Sequence, residues 1–423
     1  MNFNFIDRLS RLIRKFPVRG GLRGAFCFLI GATLLSCTMV YEDMDPCAAK
    51  PNNFVTVNFK YDYNMQNEDW INSHVGSVFL YVFDKDGIYL FKDSTFKVNM
   101  VGESVDFSMT FDTTYLKPGN KYEFVAIAQG NHAGYQASLE TPGFTLLHNM
   151  VPGKSTLEDY RLKLDRDDDG VYDFGIINYK DSYGENREMM DTLWSTKPNS
   201  VQTLDIPYIE YAPRLEPYPD TYQEVTIPLM RITNSIKVNV VHPSFSEGMD
   251  PDYFNVDINF PKGNGTIGFT GTTYPAQELW YRALRKTMVQ YQQKSNGAVY
   301  DADPVTKAEY IGADDVINTR ATQYAIKAEF GVSRLQCADG STLQVHDKNG
   351  NLVAKIGDDS EGGTSFSQWL ADYFQNYFGD QEFLDREYDW TIDINLDENS
   401  VPIYIQAGCH ILGWGKRIFY YDL

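Results

Sequence analysis

The 423-residue sequence is poor in cysteine and histidine, in positive charge and in long apolar runs. Its five cysteines, Cys27, Cys37, Cys47, Cys337 and Cys409, show no CxxC spacing, so neither a disulfide framework nor a zinc site is indicated. Spacing does not decide whether Cys337 and Cys409 pair. None of the six histidines stands in HExxH and the sequence holds no GxSxG, so two common hydrolase signatures are missing. Acid pairs such as Asp358-Asp359 and Asp397-Glu398 stand in turn-like contexts, where charges are ordinarily just solvated. No catalytic residue is assigned and no enzyme is expected. Lys and Arg number 37 against 57 Asp and Glu, a formal charge of −20. That balance offers no basic face for phosphate, which argues against nucleic acid as a partner and against lying flat on anionic lipid.

What is present begins with a basic N-terminus: Arg8, Arg11, Arg14, Lys15, Arg19 and Arg23 against the single acid Asp7. The apolar stretch from Ala25 to Leu35 follows, too short to span a bilayer and ending in small residues, the pattern of a secretory signal. Its close, Leu34-Leu35-Ser36-Cys37, resembles the bacterial lipobox, in which the cysteine is acylated and becomes the new N-terminus. The resemblance implies a signal peptide over 1–36 and lipidation at Cys37. Residues 37–52, with Pro46, Pro51 and no periodicity, then read as a lipidated tether. Cleavage would take six bases and one acid, and the formal charge would fall to −25. A multiply acylated cysteine holds a chain firmly to a membrane, whereas one acyl chain does so only marginally.

Beyond the tether the pattern is that of strands. Val55, Val57 and Phe59 alternate with Thr56, Asn58 and Lys60. Val78 to Phe83 is a continuous apolar run, turned by Asp84-Lys85-Asp86-Gly87 and returned by Ile88 to Phe91, a strong hairpin signal. A second β pattern starts at Glu224-Val225-Thr226-Ile227-Pro228-Leu229, so two β-rich stretches are expected, 53–223 and 224–423. Short strands at this spacing suggest sandwiches. Ala276–Gln293 and Phe366–Phe378 permit helices, the second started by Thr364 or Ser365 and stopped by Gly379.

Several blocks coincide in order behind the lipobox: Phe59-Lys60-Tyr61-Asp62-Tyr63-Asn64-Met65, Arg231-Ile232-Thr233-Asn234-Ser235-Ile236-Lys237-Val238, Phe383-Leu384-Asp385-Arg386-Glu387-Tyr388-Asp389-Trp390 and Gly413-Trp414. Together they resemble the anchor-subunit family of Bacteroidetes-type fimbriae, the type V pili. The resemblance implies a mainly β fold of two tandem transthyretin-like β-sandwich domains with one or two short helices. It implies a lipid-anchored protein of the outer membrane, exposed at the cell surface, that attaches a pilus and terminates its assembly. Its partners would be pilin subunits, met by strand exchange or at sheet edges. The alternative is a surface glycan-binding lipoprotein, with Trp280, Tyr281, Tyr291, Trp369, Tyr373 and Tyr377 as a ring platform; at helical spacing such rings are more often core.

Two features stand apart. Asp165-Arg166-Asp167-Asp168-Asp169-Gly170 fits the start of a calcium loop, with Asp165, Asp167, Asp169 and Asp173 as oxygen ligands for Ca2+. Position twelve, however, is Ile176 instead of a bidentate Glu, so a solvated acidic loop is the other reading. At the far end, the tail from Gly415 to Leu423 either completes the C-terminal sandwich or donates a strand to the first pilin.

Overall fold

In the computed structural model the described residues are 53–96, 107–130, 144–164, 171–172, 190, 192–205, 221–283, 285–293, 299–301, 323–358, 360, 362–373, 378–409 and 417–422. Phe54–Tyr208 and Tyr222–Leu423 cluster as one compact unit. The first half carries β1 (Asn53–Lys60), the single helical turn α1 (Ile71–His74), β2 (Val75–Asp84), β3 (Tyr89–Phe96), β4 (Ser108–Phe111), β5 (Lys121–Gly130), β6 (Phe144–Leu146), β7 (Leu162–Leu164), β8 (Val171–Tyr172), β9 (Leu193–Thr196), β10 (Gln202–Asp205) and β11 (Thr221–Arg231). The second carries β12 (Thr233–Val241), β13 (Phe254–Phe260), β14 (Thr266–Ile267), β15 (Leu279–Arg282), β16 (Arg285–Gln293), β17 (Val299–Asp301), β18 (Gln323–Ser333), β19 (Thr342–Asp347), β20 (Leu352–Ile356), α2 (Phe366–Tyr373), α3 (Asp380–Arg386), β21 (Asp389–Leu396), β22 (Pro402–Cys409) and β23 (Arg417–Asp422).

The fold is therefore mainly β. The strands form an eight-stranded sheet in the order β3-β2-β5-β9-β11-β1-β4 with β10 beside β5, and a seven-stranded sheet in the order β17-β16-β18-β12-β21-β22-β23. A five-stranded sheet, β20-β19-β13-β15-β8, and a three-stranded sheet, β14-β7-β6, complete it.

The unbroken apolar run of β2 has a simple cause: both of its faces are covered. Val78, Leu80 and Val82 join the core that holds Val55, Val57, Phe124 and Trp194. Phe79, Tyr81 and Phe83 point into a second core, shared with Ile236, Val238, Ile258, Leu343 and Trp390 of the other half. Strands buried on two faces lose the polar alternation that one-sided strands keep.

Three hairpins are turned by the same device. Asp84 accepts from the amides of Asp86 and Ile88, Asp347 from those of Asn349 and Asn351, and Asp397 from those of Asn399 and Val401, each at 2.8–3.0 Å. The turns need a positive φ, met by Gly87 and Gly350 in two and by Ser400, at φ 62°, in the third.

One expectation is corrected. The stretch Ala276–Gln293 is β15 and β16, not a helix: β15 pairs with β13 and β16 with β18, and Leu279 and Tyr281 are buried in alternation with Trp280 and Arg282. Tertiary pairing overrides its helix-forming composition. Positions 223 and 224 lie within β11, whose Val225, Ile227 and Leu229 belong to the core of the eight-stranded sheet; the next strand, β12, lies in the seven-stranded sheet. In Phe366–Phe378 the helix α2 covers Phe366–Tyr373; Ser365 accepts from the amide of Gln368 at 3.0 Å and so starts it. Gly379 stands at the start of α3.

Candidate functional site

The strand registers give the first sheet two ends of different character. β1 is antiparallel to β4 with Val55 opposite Phe111, and β2 is antiparallel to β5 with Asp84 opposite Tyr122. Phe54 of β1 stacks on Tyr222 of β11, ring centroids 5.4 Å apart and 15° from parallel. One end of the sheet therefore gathers the start of β1, the start of β11, the loop after β4 and the hairpin Asp84–Gly87. Here the chain comes in from residues 37–52. We call this the tether pole. Tyr222 is 69% and Tyr115 60% exposed there. Tyr115 is braced by Phe111 and Phe91 at 6.0 and 5.8 Å.

The opposite end of that sheet is a seam with the second half, and three of the sequence blocks that carry the family resemblance meet on it. From the first block, Tyr61 lies edge-on to Trp194 at 5.6 Å, and Tyr63 lies under the Arg386 guanidinium at 4.3 Å. Arg386 also donates to the Asn64 carbonyl at 3.0 Å and to the Asn67 side chain at 2.9 Å. From the middle block, Arg231 lies over Tyr388 at 3.9 Å and donates to the Thr233 carbonyl, while Asn234 accepts from the Trp390 indole at 3.3 Å. Beside them Asp385 receives both nitrogens of a two-pronged contact from Arg334, each at 2.7 Å, and both side chains are buried. Arg334 also reaches the Gly271 carbonyl at 2.7 Å. Gly271 has φ +65°, and a Cβ on it would lie 2.7 Å from the Met230 methyl and 2.9 Å from the Ser195 hydroxyl. Glycine is required there for the loop to approach the first sheet.

Glu387 is the unusual group of the seam. It is 2% exposed; its Oε1 accepts from the amides of Tyr388 and Asp389, and its Oε2 has no hydrogen-bond partner among the described residues. Burial pushes its pKa up to about 8, against the pull of those two amides and of Arg231. Burial likewise pushes the phenol of Tyr63 up to about 12, helped by Asp385 and Glu382.

From the seam, β12 and β21 run in parallel, Ser235 opposite Asp389 and Val241 opposite Asn395, toward a distal pole formed by the hairpins Asp347–Asn351 and Asp397–Val401. Between these hairpins lies a cleft of about 430 Å³ whose lining includes Tyr253, Asn349, Asn351, Leu352 and Val401. Leu352, Val401 and Ile403 are 54%, 55% and 53% exposed.

The other expected residues fall as follows. Cys37, the tether, Asp165, Asp167, Asp169 and Asp173 lie outside the described residues, and among the described residues no cluster suited to a metal ion occurs. Cys337 is half-buried and Cys409 buried, and no disulfide joins the two. The rings considered as a glycan platform are largely core: Tyr281, Tyr291 and Tyr373 are buried, Trp280 and Trp369 half-buried, and Tyr377 lies outside the described residues. The tail strand β23 pairs with β22, Tyr404 opposite Asp422 through Cys409 opposite Arg417, as an edge strand of its own sheet. The Arg334–Asp385 pair and the burial of Glu387 were not visible in the sequence; the only hint was the tight Asp-Arg-Glu cluster beside apolar Phe383 and Leu384.

A family model for fimbrillin-A associated anchor proteins Mfa1 and Mfa2 matches residues 46–418. Similar solved structures include a candidate polysaccharide-binding protein from Bacteroides thetaiotaomicron, 22% identical over 88% of this chain and 98% of that one, with a TM-score of 0.56. A candidate adhesin from the same species is 21% identical over 86% and 97%, with a TM-score of 0.57. The fimbrial anchor protein Mfa2 from Porphyromonas gingivalis is 17% identical over 84% and 97%, with a TM-score of 0.48. No curated protein matches the sequence significantly.

Proposed function

The chain belongs to the family of fimbrillin-A associated anchor proteins, and on that premise we propose that it is an outer-membrane lipoprotein, acylated on Cys37, that holds a fimbrium at the cell surface and ends its assembly. Its role is structural, with no chemistry of its own. One observation carries the reading: β1, the first strand after the tether, has β11 on one side and β4 on the other. A strand paired along both edges is committed to its own sheet and is not free to be exchanged with a neighbouring subunit. A subunit that keeps its first strand, and has lipid at the start of that strand, is a terminus of a chain of subunits. Contact with the first fimbrial subunit falls to the other end of the molecule. There β20 and β23 are edge strands and the cleft between the hairpins is rimmed by exposed aliphatic side chains. The two tandem sandwiches meet, on this reading, at Ile232 instead of at 223/224.

Cys37→Ala tests it. The expected result is loss of acylation, release of the chain from membranes, and fimbriae shed into the medium. Fimbriae that stay attached, with the variant still in the membrane fraction after a high-salt wash, would overturn the reading.

A further inference from the structure

We propose that the tether pole is a membrane-seating surface, with Tyr222, Phe54 and Tyr115 lodged in the headgroup region of the same bilayer that holds the lipid. The inference rests on the reading that Cys37 is acylated, and it adds how the body of the protein stands on the membrane.

Among the described residues the exposed large apolar side chains are Tyr115, Leu147, Val151, Tyr222, Leu352, Val401 and Ile403. The two aromatics in that set are both at the tether pole, on different strands and loops of it. A phenol suits the boundary between water and lipid, since its ring enters the apolar side and its hydroxyl stays wet. Both rings are preset. Tyr222 is stacked on Phe54, the second residue of β1, and Tyr115 is wedged against Phe111 and Phe91. Little side-chain freedom remains to be lost on contact.

The tether fixes the occupant. Residues 37–52 are sixteen positions that begin at the acylated cysteine and end one residue before Asn53, where β1 starts. Fully extended they reach roughly 55 Å at most, so the lipid keeps this pole within one tether length of the bilayer without dictating its orientation. The rings supply orientation while the acyl chains supply retention.

Charge does not supply either. Lys85, Lys117 and Lys121 are exposed at this pole among Asp84, Asp86, Asp112, Asp205 and Glu224, so it is no basic patch. The contact is therefore to the headgroup boundary itself and should not weaken in salt, unlike a basic surface on anionic lipid.

The test uses the full-length lipoprotein reconstituted into phosphatidylethanolamine–phosphatidylglycerol vesicles, with Tyr222 or Tyr115 replaced by the photoreactive p-benzoylphenylalanine and, as a distal control, Ile403 replaced likewise. All three sites are more than half exposed, so the fold tolerates the substitution. After flotation and irradiation, phospholipid adducts should form from positions 222 and 115, equally at low and high salt, and be lost at 403. Vesicle-bound protein without adducts at 222 and 115, or with as much at 403, overturns the seating and leaves the acyl anchor standing. Protein that does not float with vesicles at all overturns the acyl-anchor reading and the seating with it.

Discussion

The tether pole and the distal pole both expose apolar side chains, but of opposite kinds. Near the chain's arrival they are phenols packed on other rings; at the far hairpins they are the aliphatic Leu352 and Val401, which line a cleft, and Ile403. Phenols tolerate a wet boundary, whereas branched aliphatics gain most from a dry protein contact. The difference teaches that the exposed phenols and the cluster of exposed aliphatics lie at opposite ends, with Leu147 and Val151 belonging to neither group, and that this arrangement matches an anchor held at one end and joined at the other. Between the poles lies the seam, where charge and rings are buried together. It makes the two ends parts of one body.

Breaking the seam should have the largest effect. Arg334→Ala leaves Asp385 buried without its two-pronged partner and frees the Gly271 carbonyl, which should cost about 3–5 kcal/mol. Urea unfolding followed by far-ultraviolet circular dichroism measures this. A loss below about 1 kcal/mol would mean that the pair does not hold the second half's side of the seam in place.

Glu387 sharpens the comparison through pH. Its pKa is raised in the folded chain to about 8 from an ordinary 4.5. The sign follows directly: the protonated folded form is fully favourable below about pH 4.5, and that contribution drains away as pH rises through 8. Wild-type stability should thus fall between pH 5 and 8, by about 3 kcal/mol at pH 7 from this group. Glu387→Gln keeps an oxygen for the amides of Tyr388 and Asp389 and carries no charge. Its melting temperature should exceed wild type at pH 7–8 and match it near pH 4. Parallel curves for the two proteins across that range would remove Glu387 from the account.

The smallest effect belongs to the distal hairpin. Ser400 holds φ 62° where the equivalent turns use glycine. Ser400→Gly should stabilise by about 0.5–1 kcal/mol, by relieving the left-handed backbone. A destabilised variant in thermal unfolding would show that the Ser400 hydroxyl, which lies 3.3 Å from His242 Nε2, matters more than the backbone.

Much of this fold is legible in the sequence, because its signals are local. The Asp-Lys-Asp-Gly and Asp-Lys-Asn-Gly turns state their own geometry, and β2 announces burial on two faces. The stretch 276–293 is not legible, because its composition favours a helix and only its neighbours β13 and β18, contributed by distant parts of the chain, make it sheet. The passage from the eight-stranded to the seven-stranded sheet after β11 is hidden for a related reason: β11 alternates like the first strand of a new half while it fills the core of the first sheet. The seam is half legible. Its blocks can be read as a family pattern, but Arg334 and Asp385 are 51 positions apart and their pairing is a fact of topology. The poles are least legible of all, since they are set by which strand ends share a side.

The central claim is that the distal pole, and not the tether pole, meets the fimbrium. Photocrosslinking in piliated cells tests it most directly, with p-benzoylphenylalanine replacing Val401 in one strain and Tyr115 in another. The account predicts a covalent adduct with a fimbrial subunit from position 401 and none from 115; a subunit adduct from 115, with none from 401, would contradict it.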